Sequence, residues 1–325
     1  MLINSSNLLF MSMTIMGVMV SFSSSSWLMM WIGMEISVMS FIPLVSIKSL
    51  LNSEFSIKYF IVQSISSMLI ISSLIMMLMS LTKLNMIMLC SLVMKMGGVP
   101  FHNWVTSTID GLTYESIFIL LIIMKIGPLV MISYLNMNLN LFVIMSLVLS
   151  SINGINQSSI KKMLTFSSIY NLGLMMYLTN MNSMWIIAMV NYSLILMSIT
   201  FLILKFKMNY INQFIFNDLS MFKKMLMLIP MLSLGGLPPM MGFQIKMMVF
   251  ESMINNNDTF MLLILILSSL IIFFFYLNLL ISMFMFSSLT LKFKLNEKML
   301  LSKFSLIIML NTVLFFPLMM TKFMV

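Results

Sequence analysis

Four charged residues lie in strings that are otherwise almost wholly apolar. Glu35 sits in WLMMWIGMEISVMSFIPLV, eight residues after Trp27 and eight before Pro43. Lys95 closes MIMLCSLVMK, just ahead of Gly97 and Gly98. Lys125 lies in IFILLIIMKIGPLVMI, with Gly127 and Pro128 after it, and Lys246 follows the string GGLPPMMGFQI. A basic residue at the centre of a helix in hydrocarbon costs ~2.5–3.5 kcal/mol. Three lysines together cost roughly 8–10 kcal/mol, on the scale of a domain's whole net stability. Such groups must face an interior, pair with one another, or meet water. Proton chemistry gives a reason to keep them. An amine stripped of water releases its proton more readily, and a carboxyl stripped of water holds its own. A glutamate beside a lysine keeps the amine protonated, and moving a charge away releases the proton, so the two make a switchable proton site. Arginine could not serve, since it does not deprotonate.

The elements that position these residues must be membrane helices. Of 325 residues 61% are hydrophobic and 8% charged, where soluble domains run near 25% charged. The mean hydropathy is +1.11. A water-soluble surface cannot be built from so few charges, so a soluble enzyme, a nucleic-acid binder and a disordered scaffold are excluded for the whole chain. The long unbroken apolar runs also exclude an outer-membrane barrel, whose strands alternate. The net charge of +9 comes from lysines spread over loops and helix ends, without a basic stripe, and reads as a topology bias. Cys90 is the only cysteine and reads as a small buried hydrophobe. No His, Cys or carboxylate cluster has metal-ligand spacing, and no Gly-rich phosphate loop follows a strand, so neither a metal nor a nucleotide is expected in this chain.

Eleven apolar spans are expected, at 6–23, 27–46, 57–81, 84–103, 115–135, 138–153, 161–179, 184–204, 224–250, 260–286 and 303–321. Alternate loops then fall on opposite sides. One side holds twelve lysines, at 48, 58, 161, 162, 205, 207, 223, 224, 292, 294, 298 and 303; the other holds two, at 83 and 322. That split places the N-terminus on the inner, lysine-rich side and the C-terminus on the other. Gly97, Gly98 and Pro100 in the fourth span are echoed by Gly235, Gly236, Pro238 and Pro239 in the ninth. Five helices separate the two, so a second unit would be inverted relative to the first. Inverted units with Gly/Pro-broken helices are the pattern of ion-translocating folds. The expected fold is therefore all-α and polytopic, with an inverted five-helix unit at 1–136, a second at 137–290, and a C-terminal loop and last helix at 291–325. The breaks at 97–100 and 235–239 should free carbonyls to hold water or cations. Pro128 should likewise release the carbonyl of residue 124.

Other residues have plainer readings. Lys205 closes the eighth span and can snorkel to the interface. His102, the only histidine, lies just past a break and reads as a hydrogen-bonded interface residue. The 46 Met are core and lipid filler, not a copper site. The absence of Arg and the single Ala188 are not demanded by helix physics. They fit an AT-rich animal mitochondrial genome in which ATA also encodes Met, so the inner side would be the matrix and no cleavable presequence is expected.

The strings NSS (4–6), SWLMMWIGMEISVMSFIPL (26–44), SIKYFIVQ (56–63), KMGGVPFHNW (95–104), MKIGPLVMISYL (124–135), GINQSSIKKMLTFSSI (154–169) and LSLGGLPPMMGF (232–243) carry a resemblance. The chain resembles the insect-type second subunit family of mitochondrial NADH:ubiquinone oxidoreductase, respiratory complex I. The resemblance implies an antiporter-like fold of eleven helices in the inner membrane. It implies a proton path in which Glu35 and Lys95 are the switching pair, Lys125 the central lysine and Lys246 the exit-side group. It implies no redox centre here: NADH, FMN, iron-sulfur clusters and ubiquinone belong to the wider complex. The implied partners are other membrane-arm subunits, including antiporter-like subunit 4 and small subunit 4L, accessory subunits and inner-membrane lipids, with no nucleic acid. Where the family usually carries a histidine in the seventh helix this chain has Asn171, which cannot titrate, and the family's Pro and Trp around the exit lysine are replaced by Gln244, Ile245 and Met247. Two other readings stand beside this one: an independent cation/proton antiporter, and a passive membrane-arm scaffold. Mitochondrial codon usage separates the first from a respiratory subunit, since such genomes encode respiratory subunits and not free antiporters.

Overall fold

The computed structural model describes residues 5–46, 50–78, 85–135, 137–181, 184–211, 213, 221–238 and 240–285. The span expected at 303–321, the unit at 291–325, Pro239, and the lysines at 48, 83, 292, 294, 298, 303 and 322 lie outside the described residues. The chain is helical. In order come α1 (Ser5–Ser23), α2 (Trp27–Ser46), α3 (Leu50–Leu78), α4 (Asn85–Met96), α5 (Asn103–Thr108), α6 (Tyr114–Phe118), α7 (Met124–Leu135), α8 (Asn140–Ile155), α9 (Ile160–Leu178), α10 (Met184–Phe206), α11 (Met221–Gly235), α12 (Met241–Asn255) and α13 (Thr259–Met285). A 3₁₀ turn, Ile109–Gly111, follows α5, and a π-turn, Ile119–Ile123, joins α6 to α7.

Six of these stretches are long and apolar enough to cross a bilayer: Ser5–Ser23, Trp27–Ser46, Asn52–Met77, Tyr114–Leu135, Met184–Phe206 and Thr259–Ile281. Asn85–Met96, Asn140–Ile155 and Leu226–Gly235 are apolar but shorter. Outward faces are made of large apolar side chains that cannot face water. On α13 these are Phe260, Leu263, Leu267, Leu270, Phe274 and Ile281, spaced by three, four or seven residues as one helix face demands. Polar groups turn inward. Ser66, Ser91, Ser146, Ser167 and Ser233 are buried, each donating its hydroxyl to the carbonyl three residues back. The helix thereby satisfies its own hydroxyls where no water is at hand. Helix α9 is less apolar than its neighbours because it touches no lipid: from Met163 to Leu178 every residue is buried.

The contacts divide the chain into two compact units, Met1–Ser146 and Leu147–Val325, with the division inside α8. The unit boundary read from the sequence, 136–137, lies in the segment leading into that helix.

In the first unit α1 and α2 pack backbone to backbone. A Cβ placed on Gly17 would sit 2.7 Å from the Ser37 amide nitrogen, and one on Gly33 would sit 2.6 Å from that of Ser21. Both helices thus present Gly-x-x-x-Ser at the crossing, and only residues this small let the chains approach so closely. The close contact places Met34 and Ser37, on either side of Glu35, against the inside of the unit. In the second unit α9 is enclosed by α10 and α12, and α11 packs on α10, α12 and α13.

The crossing generates a test. Gly33→Val drives a branched side chain into the α1 backbone and should cost at least ~1–3 kcal/mol. Gly154→Ala meets only the edge of the Phe275 ring, at 3.2 Å, and should be tolerated. Membrane-extracted protein levels should fall for the first variant and hold for the second.

Candidate functional site

The site begins with the helix that stops. α4 ends at Met96 in a motif set by glycine. Gly97 has φ +72, its N–H donates to the Met94 carbonyl at 3.1 Å, and the N–H of Gly98 donates to the Val93 carbonyl at 2.9 Å. This is the Schellman end, and it needs the left-handed conformation that glycine tolerates best. α11 ends identically. Gly236 has φ +77 and donates to Ser233 at 3.0 Å, and Leu237 donates to Leu232 at 3.3 Å. The local structures therefore equate Gly97 with Gly236, not with Gly235. The sequence echo of GGVP with GGLP is out of step with the backbone by one residue, because the first glycine of one pair does the work of the second glycine of the other.

The expectation that the breaks leave open carbonyls is corrected by the side chains around them. At the first break the Met94 carbonyl also accepts from Trp104 Nε1 at 3.1 Å, and the Lys95 carbonyl accepts from Gln63 Nε2 at 3.1 Å. At the second, the Gly235 carbonyl accepts from Lys246 Nζ at 2.7 Å. A bare carbonyl in a low-dielectric setting is costly, and the chain supplies these donors itself.

Stopping α4 at Met96 leaves Lys95 in its last turn, buried, with its amine donating to Glu35 Oε1 at 2.5 Å. The lysine side chain is 3% exposed and the glutamate 20%. Each group would be costly alone, and each removes most of that cost for the other. Lys125 sits one residue into α7, fully inside the unit at 3% exposure. The π-turn immediately before it adds a residue to the helix, rotating all that follows by about 100° relative to a regular helix. Ile119, Leu120, Leu121 and Ile122, four of the five residues of the turn, are buried. Pro128 lies inside α7, one turn on.

Lys95 and Lys125 line one small cavity with room for about one water. Tyr59, Gln63 and Trp104 are also in its wall, together with Ser37. Tyr59 is held by rings on both sides, Phe41 at 5.3 Å and Trp104 at 5.8 Å between centroids. Gln63 uses its amide N–H on the Lys95 carbonyl, while its Oε1 is buried without a hydrogen-bond partner among the described residues. Gln63 thus brings an acceptor to a cavity that two lysines also line.

Lys246, on α12, is buried beneath Gly236: a Cβ on that glycine would lie 2.6 Å from Nζ. His102 is half-buried past the first break, with Nδ1 3.3 Å from the Pro100 carbonyl. Asn171 is buried in α9 and donates to the Ser167 carbonyl at 2.9 Å. Lys205 lies exposed in the last turn of α10. Pro100 and Pro238 both lie between helices, outside the regular ladder. Among the described residues no three His, Cys, Asp or Glu side chains converge as a metal site.

Sequence reasoning passed over Tyr59, Gln63 and Trp104, although SIKYFIVQ and HNW were in view. A glutamine inside an apolar span is itself a signal of an interior polar partner. The π-turn left no signal in the run IFILLIIM, which is apolar on every face.

The sequence profile described as NADH:quinone oxidoreductase/Mrp antiporter, TM, matches residues 24–273. NADH-ubiquinone oxidoreductase chain 2 of Anopheles gambiae is 40% identical over 315 residues, covering 90% of this chain and 92% of its own. The chain belongs to the NADH-ubiquinone oxidoreductase chain 2 family. The same-named protein of Aedes aegypti is 34% identical over 263 residues, covering 77% of each chain. The fold is also that of a chain in respiratory complex I from Thermus thermophilus, with TM-score 0.76 at 18% identity, covering 86% of this chain and 71% of that one. A chain of the archaeal membrane-bound sulfane sulfur reductase superposes with TM-score 0.81 at 15% identity, covering 97% and 73%.

Removing one partner of the Glu35–Lys95 pair strands the other. Glu35→Gln should destabilise the protein by up to ~3–5 kcal/mol, less whatever the partial exposure of Glu35 returns. Glu35→Gln combined with Lys95→Met should recover part of that loss. Thermal unfolding of the two variants side by side measures the difference, and equal losses would show that the pair is not coupled.

Proposed function

We propose that this chain is a membrane-arm subunit of NADH:ubiquinone oxidoreductase that carries protons across the mitochondrial inner membrane. Electron transfer from NADH to ubiquinone through FMN and iron-sulfur clusters in other subunits drives it. The observation that carries this reading is the arrangement in the first unit: a buried Glu35–Lys95 pair whose lysine shares a cavity with Lys125. With Glu35 beside it, the Lys95 amine stays charged. When a charge elsewhere draws the carboxylate's influence away, the proton moves to Lys125, the other amine lining the cavity among the described residues, by way of one water beside Gln63. Lys125 then holds it and passes it on. Lys246 is the exit-side group in the second unit. All eleven spans and the inverted relation of the two units belong to this proposal, as does contact with antiporter-like subunit 4, small subunit 4L, accessory subunits and lipid.

One observation favours a scaffold role for part of the site. Lys246 caps the Gly235 carbonyl, which is a structural use of an amine. The decisive residue is therefore Lys125. Lys125→Met keeps the length and removes the charge, and apolar replacement of a buried charge leaves folding largely intact. Assembled complex carrying it should show fewer protons moved per electron and, with tight coupling, slower NADH–ubiquinone turnover. Lys125→Arg should fail as well, since arginine keeps its proton. Normal proton-to-electron stoichiometry in assembled Lys125→Met complex would make the subunit a scaffold.

Orientation has its own test. The lysine split puts the segment after α10 in the matrix, so Lys207→Cys should react with an impermeant maleimide in inverted inner-membrane vesicles and stay protected in intact mitoplasts. The reverse pattern would invert the topology.

A further inference from the structure

Helix α3 turns one narrow face inward. Tyr59, Gln63, Ser66 and Ile70 are all buried, at spacings of four, three and four residues. Gln63 is 2% exposed and lines the cavity that Lys95 and Lys125 also line. Its two amide ends have different fates. Nε2 donates to the Lys95 carbonyl at 3.1 Å, and Oε1 is buried without a hydrogen-bond partner among the described residues. The carbonyl fixes which way the amide lies, because the reversed amide would set two acceptors face to face.

Closing the end of α4 needs only the donor. Trp104 does this for the Met94 carbonyl with an indole N–H, and an indole brings no acceptor. A buried acceptor left unmet is costly, so Gln63 Oε1 calls for a partner that the capping role does not supply. The cavity has room for about one water. A water has two hydrogens and two lone pairs. Between a charged amine and a neutral one it accepts from the first and donates to the second, which leaves one hydrogen over. A neutral amide oxygen takes that hydrogen without competing for the proton, whereas a carboxylate would compete for it.

We infer that Gln63 is a positioning residue for proton transfer in the first unit: its Oε1 holds one hydrogen of the cavity water, so that the other hydrogen faces Lys125 and a lone pair faces Lys95. This rests on the proton-carrying reading above and adds to it the group that orients the water. In the step, a Lys95 N–H bond breaks as an O–H bond forms on the water, and the water's other O–H breaks as an N–H bond forms on Lys125. Lys95 ends neutral, Lys125 ends charged, and a water remains between them. Turning about the O–H held by Gln63 then brings the newly gained hydrogen round toward Lys125. Because Nε2 is anchored on the main chain of Lys95 itself, the water's place is set relative to that lysine.

The test uses the assembled complex in inner-membrane vesicles with Gln63→Met, Lys125→Met and, as a control at an exposed position of the same helix, Ser72→Ala. A glutamine that only caps α4 would lower the amount of assembled complex and leave each assembled complex normal. A positioning glutamine acts on each complex. Turnover per assembled Gln63→Met complex should fall at least about tenfold, with fewer protons per electron and a larger slowing in D₂O than the unaltered complex shows. Ser72→Ala should change nothing. If Gln63→Met keeps the normal proton-to-electron ratio and isotope effect while Lys125→Met loses pumping, the role of Gln63 is structural and the proton-carrying reading stands. If Lys125→Met also pumps normally, that reading falls and the positioning role falls with it. Should Gln63→Met fail to assemble, density for the unaltered complex decides. A water within hydrogen-bonding distance of Gln63 Oε1 supports the positioning role, and an oxygen that meets a protein donor or no water overturns it.

Discussion

Hydrocarbon offers no hydrogen-bond partner, so a polar atom carried into this protein is costly unless another group meets it. The rest of the structure follows from that constraint. Backbone groups close on themselves as helices. Serine hydroxyls turn back to the carbonyl one turn behind, as at Ser66, Ser91 and Ser146. The two places where the helical ladder stops are not left bare: Gln63 and Trp104 meet the carbonyls at the end of α4, and Lys246 meets the one at the end of α11. The charged groups obey the same rule. Lys95 and Glu35 are together because neither could be there alone.

Residues that close the helix ends also line the cavity or lie buried as amines. Gln63 ties down the end of α4 with its amide and leaves its oxygen in the cavity shared by Lys95 and Lys125. Trp104 closes the break and holds Tyr59 in the same wall. Lys246 caps a helix and is a buried amine. The close α1–α2 crossing at Gly17 and Gly33 fixes the face of α2 from which Glu35 projects.

The two units repeat one local device. A helix ends in a left-handed glycine, a lysine lies near that end, and the chain resumes as a helix a few residues later. In the first unit the lysine precedes the glycine and turns to a carboxylate on another helix. In the second it follows the glycine and turns back to the broken helix itself. The same backbone solution thus serves two electrostatic ones.

Much of this was legible in the sequence, because hydrocarbon allows few alternatives. Apolar runs bounded by Ser, Asn and Lys could only be helices, and α1, α2, α8, α9 and α10 begin and end within two residues of where the runs do. Glu35, Lys95, Lys125 and Lys246 stood out since charge has so few reasons to be in such strings. The double glycines and prolines marked both breaks. What composition and spacing could not decide was who meets whom. The pairing of Glu35 with Lys95, the shared cavity, and the capping of freed carbonyls by Gln63, Trp104 and Lys246 depend on which helix faces pack together. Helices apolar on every side carry no periodicity to announce that. The π-turn before Lys125 was hidden for the same reason, as was the one-residue offset between the glycine pairs. Pattern reports the solvent a segment meets. Which neighbour it meets is settled by the packing of small residues and the pairing of polar atoms in three dimensions.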